Sequence, residues 1–376
     1  MNIVIAPDSF KGSLTSAQAS EIMRKAVLEV LYDCEVYDKP MADGGEGTLD
    51  SMLASSNGVQ IPISCVGPLG ERINTSYGIV RKATAIIECA RIAGLTQVPE
   101  EKRNPDMTTS YGVGEVIINA LNRGCTSIVL GLGGSATNDG GLGMLQALGM
   151  KAWDEKGAEI GPFGCDLLKV AKVNFAGLDK RLKSVAIKVA SDVDNPLCGN
   201  RGASAVYGPQ KGATRNQIKQ YDQALRYYGN LIETEINQSV KDVAGSGAAG
   251  GLGFALLAIG AELVSGAKLI AKAANLESKI KFADLVLTGE GQSDAQTLYG
   301  KAPGYVAEIA EKYRVPTVLI SGSLTGDLDV LQEKFAGCFS IIDKPLSLEA
   351  CMANAGELLF NQTKQVVYFW RSIKKG

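Results

Sequence analysis

Ser127-Ile128-Val129-Leu130, running into GLGGSATNDGG from Gly131 to Gly141, is the stretch on which the architecture turns. The four leading residues have the composition and length of a buried strand. Glycines 131, 133, 134, 140 and 141 then leave the backbone amides unshielded. Gly133, Gly134 and Ser135 can therefore turn successive N–H groups toward an anion, while Ser135 and Thr137 add hydroxyl donors. Phosphate is the expected guest. Asn138-Asp139 sets a carboxylate beside this nest, an arrangement that phosphate tolerates when a divalent cation lies between the two. The competing reading is a strand-to-helix turn whose glycines serve only close packing.

The same strand-then-loop texture recurs at both ends of the chain. Asn2-Ile3-Val4-Ile5-Ala6 is a short apolar strand, followed by a Gly/Ser/Lys loop and by Thr15 to Leu31, where Ile22, Ala26 and Val30 recur at helical spacing. Thr15 and Gln18 can close a capping box at its start. Near the C-terminus, Asp284 to Leu287, Thr317 to Ile320 and Phe339 to Ile342 each end in Gly, Ser or Asp loops. Such strands belong to a parallel sheet covered by helices. From Val59 to Ala90 the texture changes to short strands punctuated by turns such as Gly67-Pro68-Leu69-Gly70, as in an antiparallel meander. The expected fold is α/β with two α/β domains: residues 1–65 and 285–376 form a parallel-sheet domain built from both termini, and residues 66–284 form an inserted domain.

Composition limits the chemistry. The 376 residues contain no histidine, which removes the Ser-His-Asp hydrolases, an imidazole base and His-ligated zinc. Eight cysteines without a C-x-x-C pair, and no secretory signal at the start of the sequence, read as a reducing cytoplasm. A net charge of −2 offers no attraction to nucleic acid or anionic lipid, and no apolar stretch has the length of a membrane helix. Small molecules are the expected partners; the sequence gives no oligomeric state.

Further loops place charged residues among glycines. Asp8-Ser9-Phe10-Lys11-Gly12-Ser13 follows the first strand, at the edge where parallel sheets bind ligands. Asp43 and Glu46 lie within MADGGEGT ahead of a helix. Asp192-Val193-Asp194 follows the apolar run 185–190, and a period of two would put both carboxylates on one face, a pair of oxygens suited to Mg²⁺. Gly289-Glu290-Gly291-Gln292-Ser293-Asp294 could add metal ligands, and Lys301 in Gly300-Lys301-Ala302-Pro303 opens a helix, useful against an anion. Each loop also reads as an ordinary solvated turn. Gly245 to Gly253 contains a literal G-x-G-x-x-G, but no strand precedes it, so helix packing explains it at least as well. No Walker A sequence is present. Together these loops make the inventory of metal-assisted phosphoryl transfer, in which positioning and charge neutralisation carry the reaction.

Taken in order, APDSFKGS, MADGGEGT, RNPDMTTSYGVGE, GLGGSATNDGG, SDVDNPLCG with GPQKGAT, GSGAAGGLG, TGEGQSD and GKAP resemble the type I glycerate kinases of bacteria over essentially the whole chain. The resemblance implies transfer of the γ-phosphoryl group of ATP to D-glycerate with Mg²⁺, with 2-phosphoglycerate expected over 3-phosphoglycerate. It also implies a Rossmann-like domain made from both termini, an inserted α/β domain, and reaction in the cleft between domains. One segment departs from the family: Gln292 and Tyr299 stand where Arg and His are common.

The residues expected to act follow from both lines. Asp192 is the carboxylate for the substrate hydroxyl or, with Asp194, Glu290 and Asp294, a metal ligand. Lys11 neutralises the transferring phosphoryl group or anchors the glycerate carboxylate, and Asp8 positions it or the metal. Gly133, Gly134, Ser135, Thr137, Asn138, Asp43, Glu46 and Lys301 are expected to hold the phosphates and nucleotide. Arg103, with Thr108 and Thr109 at the start of the next helix, suits the carboxylate of glycerate, although plain N-capping explains the threonines as well. A nicotinamide-dependent oxidoreductase would share the glycine loops, but it needs one ribose-binding acid rather than the carboxylates of Asp43, Glu46, Asp139, Asp192, Asp194, Glu290 and Asp294. A metabolite-binding protein without turnover is the third option.

Overall fold

The computed structural model describes residues 1–56, 58–298 and 300–375. It is a mixed α/β molecule with two compact units: Met1–Asp43, Asp50–Ser56 and Ser265–Gly376 in the first, Gly44–Leu49 and Asn57–Val264 in the second.

The first unit is built on a five-stranded, wholly parallel sheet in the order Gly337–Ser340, Thr317–Ser321, Leu285–Thr288, Asn2–Ile5, Glu35–Asp38. The N-terminal strand thus pairs with one from the last third of the chain, with Ile3 opposite Leu285 and Ile5 opposite Leu287. The central strands are apolar on both faces because helices cover both sides. Helix Ser16–Val30 begins where the sequence signals it: Thr15 Oγ1 accepts from Gln18 N, and Gln18 Oε1 accepts from Thr15 N. Its buried stripe of Ala19, Met23 and Val27 joins Ile3, Ile5, Leu285 and Leu287 in one core, which the C-terminal helix Ala355–Lys375 closes with Leu359 and Val367. On the other face Ala307, Leu319, Leu331 and Phe335 form a second cluster.

The second unit holds a six-stranded mixed sheet in the order Glu262–Val264, Ala186–Ala190, Ser127–Gly131, Thr84–Glu88, Arg72–Val80, Val59–Val66. The first four run parallel, and the last two are added antiparallel, which is the meander read from the turns. A boundary at 65/66 would cut the Val59–Val66 strand, whose eight-residue ladder with Arg72–Val80 carries it into this unit. Residues 265–284 fall in the first unit, because helices Gly266–Ala273 and Leu276–Ile280 pack on Ala302–Lys312.

Candidate active site

In the first unit, three neighbouring parallel strands release their loops at the same edge. The loop after Asn2–Ile5 is stitched to the one after Leu285–Thr288 by Asp8 N donating to Gly289 O at 2.8 Å, and that one to the next by Gly322 N donating to Glu290 O at 3.0 Å. Gly289 is required at this crossing, since a Cβ there would lie 1.8 Å from Ile320 O. The result is a cavity of about 660 Å³ whose polar lining includes Asp8, Lys11, Asp43, Glu290, Asp294 and Lys301. The structure therefore brings together six of the expected residues from four separate loops.

Electrostatics at this cavity are those of crowded acids. Burial, then the neighbouring carboxylates of Asp43 and Glu290, hold the Asp8 carboxyl well above its ordinary range. Burial also raises Glu290, against hydrogen bonds donated by Thr297 Oγ1 at 2.7 Å and Ser293 Oγ at 3.0 Å. Two cations stand beside these acids: Lys11 Nζ is 3.8 Å from Asp43 and Lys301 Nζ is 3.7 Å from Glu290. Lys301 is the N-cap of helix Ala302–Lys312, as its place in Gly-Lys-Ala-Pro suggests. Asp294, which lines the cavity, accepts from Gln296 N through Oδ1 at 2.8 Å. Gln292 lines the same cavity; Tyr299 lies outside the described residues.

In the second unit the glycine loop follows strand Ser127–Gly131 and precedes helix Leu142–Ala147. Two glycine loops stack here with no room for side chains: a Cβ at Gly133 would lie 2.4 Å from Gly45 Cα, and one at Gly131 would lie 2.6 Å from Gly44 O. Glu46 is exposed with its Oε1 beside Gly134. Ser135, Thr137 and Asn138 are buried; Thr137 Oγ1 and Asn138 Oδ1 have no partner among the described residues, while Asn138 Nδ2 donates to Ser204 Oγ at 2.9 Å.

Two charged residues of this region escaped the reading of the sequence. Glu88, at the end of strand Thr84–Glu88 and paired in register with Gly131, is 2% exposed and accepts from Leu49 N at 3.0 Å and Gly47 N at 3.4 Å, holding the 44–49 loop. Lys211, also 2% exposed, donates to Ser135 Oγ at 2.9 Å and to Thr137 O at 2.6 Å. The signal for Glu88 was an acid ending an apolar strand; for Lys211 it was a lysine flanked by Gly208 and Gly212.

Several expectations are corrected. Asp139 does not face a cation beside the nest: it is fully buried and accepts from Ser110 N, Ser110 Oγ, Gly141 N and Gly143 N. Its carboxylate is consumed by the fold. Thr108 and Thr109 do not open the helix, which starts at Tyr111; their hydroxyls donate to Pro105 O and Pro162 O, so they tie turns together instead of offering donors to an anion. Asp192 and Asp194 do not share a strand face, because the strand stops at Ala190 and period two ends with it. Asp192 is half-buried, whereas Asp194 is exposed with both oxygens on Arg201 Nη2 at 2.9 and 2.7 Å, an ion pair that lowers its carboxyl. The carbonyl of Arg103 abuts Gly212, next to Lys211, and its Nε is buried with no partner among the described residues. The G-x-G-x-x-G segment is a packing device: a Cβ at Gly250 would lie 2.0 Å from Thr137 O, and Gly250 O accepts from Gly140 N, so these glycines buttress the 137–140 loop from behind.

Among the described residues, no three His, Cys, Asp or Glu side chains are grouped so as to hold a metal ion, and no helix is long and apolar enough to cross a membrane. The model of the glycerate kinase family matches residues 3–371. A glycerate 2-kinase of Escherichia coli strain K12 is 45% identical over 369 residues, 97% of each chain. A glycerate kinase of Haemophilus influenzae is 46% identical over 333 residues, 88% of each. A crystal structure from Salmonella typhimurium LT2 shares 43% identity with a TM-score of 0.87 over the whole of both chains.

Proposed function

The chain belongs to the glycerate kinase family, and on that footing we propose that it phosphorylates D-glycerate at the 2-hydroxyl with ATP and Mg²⁺ in the cytoplasm. The observation that carries this reading is the convergence of Asp8, Asp43 and Glu290 with Lys11 and Lys301 on one cavity. Burial first, and then the neighbouring carboxylates, raise the carboxyls of Asp8 and Glu290, and a hard cation would favour their ionised forms. The donor set fits Mg²⁺, which takes one or two carboxylates together with waters and substrate phosphates and needs no closed protein cage. When bound, the ion supplies charge neutralisation at the phosphate oxygens.

The chain's own groups do the rest. Lys11 and Lys301 balance charge that spreads over the transferring phosphoryl group. The loop Gly133–Asn138 offers amides and hydroxyls to phosphate, with Glu46 at its rim. Asp192, half-buried beyond its strand, orients the 2-hydroxyl of glycerate and takes its proton as oxygen attacks phosphorus. Arg103 is assigned to the glycerate carboxylate. Eight free cysteines support a reducing compartment.

A coupled assay with ATP, Mg²⁺ and D-glycerate tests the reaction, and ³¹P and ¹H NMR identify the product. Formation of 2-phosphoglycerate is expected; 3-phosphoglycerate would overturn the regiochemistry, and absence of turnover the whole reading.

A further inference from the structure

Lys211 has a position that the reaction as proposed does not use. It ends the short turn Pro209–Lys211 and reaches Ser135, 76 residues away in sequence, from within the protein. Among the described residues it forms no ion pair. A buried ammonium without a carboxylate is costly, and a fold that retains one gains by it elsewhere. Its titratable neighbours do not compensate the charge. Cys89 is kept neutral by burial, with its thiol pushed up to about 12, and Asp139 is fully engaged by its four donors. Burial accordingly brings Lys211 down to about 8, with Cys89 and Asp139 opposing the shift only in part.

The hydrogen bonds have a direction. An ammonium can only donate, so Ser135 Oγ accepts from Lys211, and the Ser135 proton must go to some other acceptor. Thr137 is held by its carbonyl in the same way, and its hydroxyl has no partner among the described residues. Among the described residues, the backbone N–H groups of Gly134, Ser135 and Thr137 meet no backbone acceptor. One cation behind the loop, two hydroxyls with protons to give and these three amides make a receptor for a multiply charged oxyanion.

We propose that Lys211 is the counter-charge for a phosphate group bound on the Gly133–Thr137 loop, a positioning residue that acts through the Ser135 hydroxyl. The choice of a nucleotide phosphate as ligand rests on the phosphotransfer reading above. Binding of ADP is measured by calorimetry between about pH 7 and 9, a range in which a terminal phosphate with its last ionisation near 6 keeps constant charge. Wild-type affinity should fall as pH rises through about 8, where Lys211 loses its proton. Lys211→Met should bind ADP at least about tenfold more weakly at pH 7, with no pH dependence, as expected on loss of a charge-assisted contact. Ser135→Ala should weaken ADP at pH 7, and D-glycerate affinity should be unchanged in both variants. A flat wild-type profile, unchanged ADP affinity in a folded Lys211→Met, or weakening confined to glycerate would each overturn the proposal. Should Lys211→Met not fold, the wild-type profile and Ser135→Ala decide alone. Failure of the kinase reading shows separately, as wild-type protein without turnover on ATP and D-glycerate.

Discussion

Ser110 donates twice to one oxygen of Asp139, from its backbone N–H at 2.8 Å and from its hydroxyl at 2.7 Å. That oxygen also accepts from Gly143 N, and its twin accepts from Gly141 N, so one carboxylate clamps the starts of helices Tyr111–Asn122 and Leu142–Ala147 together. Asp139→Ala would orphan four buried donors. At roughly 1–3 kcal/mol for each donor left unsatisfied, partly recovered by relaxation, the variant should lose at least about 3 kcal/mol in chemical denaturation. A stable Asp139→Ala protein that is inactive would return this carboxylate to the ligand.

Asp8 leads to the opposite result. Its folded carboxyl is raised above the ordinary 3.8 by burial and by Asp43 and Glu290, so the folded protein holds this proton more tightly than the unfolded chain. Its contribution to stability is therefore full below 3.8 and lost as pH rises through the raised folded value. Asp8→Asn removes that loss. The variant should melt above wild type at neutral pH, with the gap closing in acid, while turnover falls at least about a hundredfold. A lower melting temperature at neutral pH would show that the ionised carboxylate is held favourably.

Lys11 separates stability from activity most cleanly. Its side chain is 72% exposed and 3.8 Å from Asp43, a pair worth about 0–1 kcal/mol at most. Lys11→Met should leave thermal unfolding nearly unchanged and lower turnover by about two to three orders of magnitude, as loss of one preorganised charge does. Full activity in the folded variant would make Lys11 an ordinary surface lysine.

The two aspartates after strand Ala186–Ala190 should behave differently. Asp194 is paired with Arg201 at the surface, and Asp194→Asn should keep wild-type melting and turnover. Asp192→Asn should lose at least about a hundredfold in turnover, the scale of a general base. Equal effects in the two assays would mean that the surface pair opens to serve the reaction.

What the sequence determined by itself was local. Strands Asn2–Ile5, Leu285–Thr288 and Thr317–Ser321 announced themselves as apolar runs, the Thr15–Gln18 box started its helix where two side chains three residues apart predict, and Gly131, Gly133 and Gly134 marked a strand end that no side chain can crowd. Such features follow from backbone geometry and from contacts a few residues apart, which a linear string contains. The loops of Asp8, Asp43, Glu290 and Lys301 could be recognised one by one for the same reason. Only the tertiary structure decided which polar groups are already spent. Asp139 and Asp194 are the same residue in the string, yet one is consumed by four donors and the other by Arg201 at the surface. Lys211 was passed over in the string, and only the fold carries it under Ser135. Hydrogen-bond saturation and desolvation are set by what packs around a group, and those neighbours lie tens to hundreds of residues away along the chain.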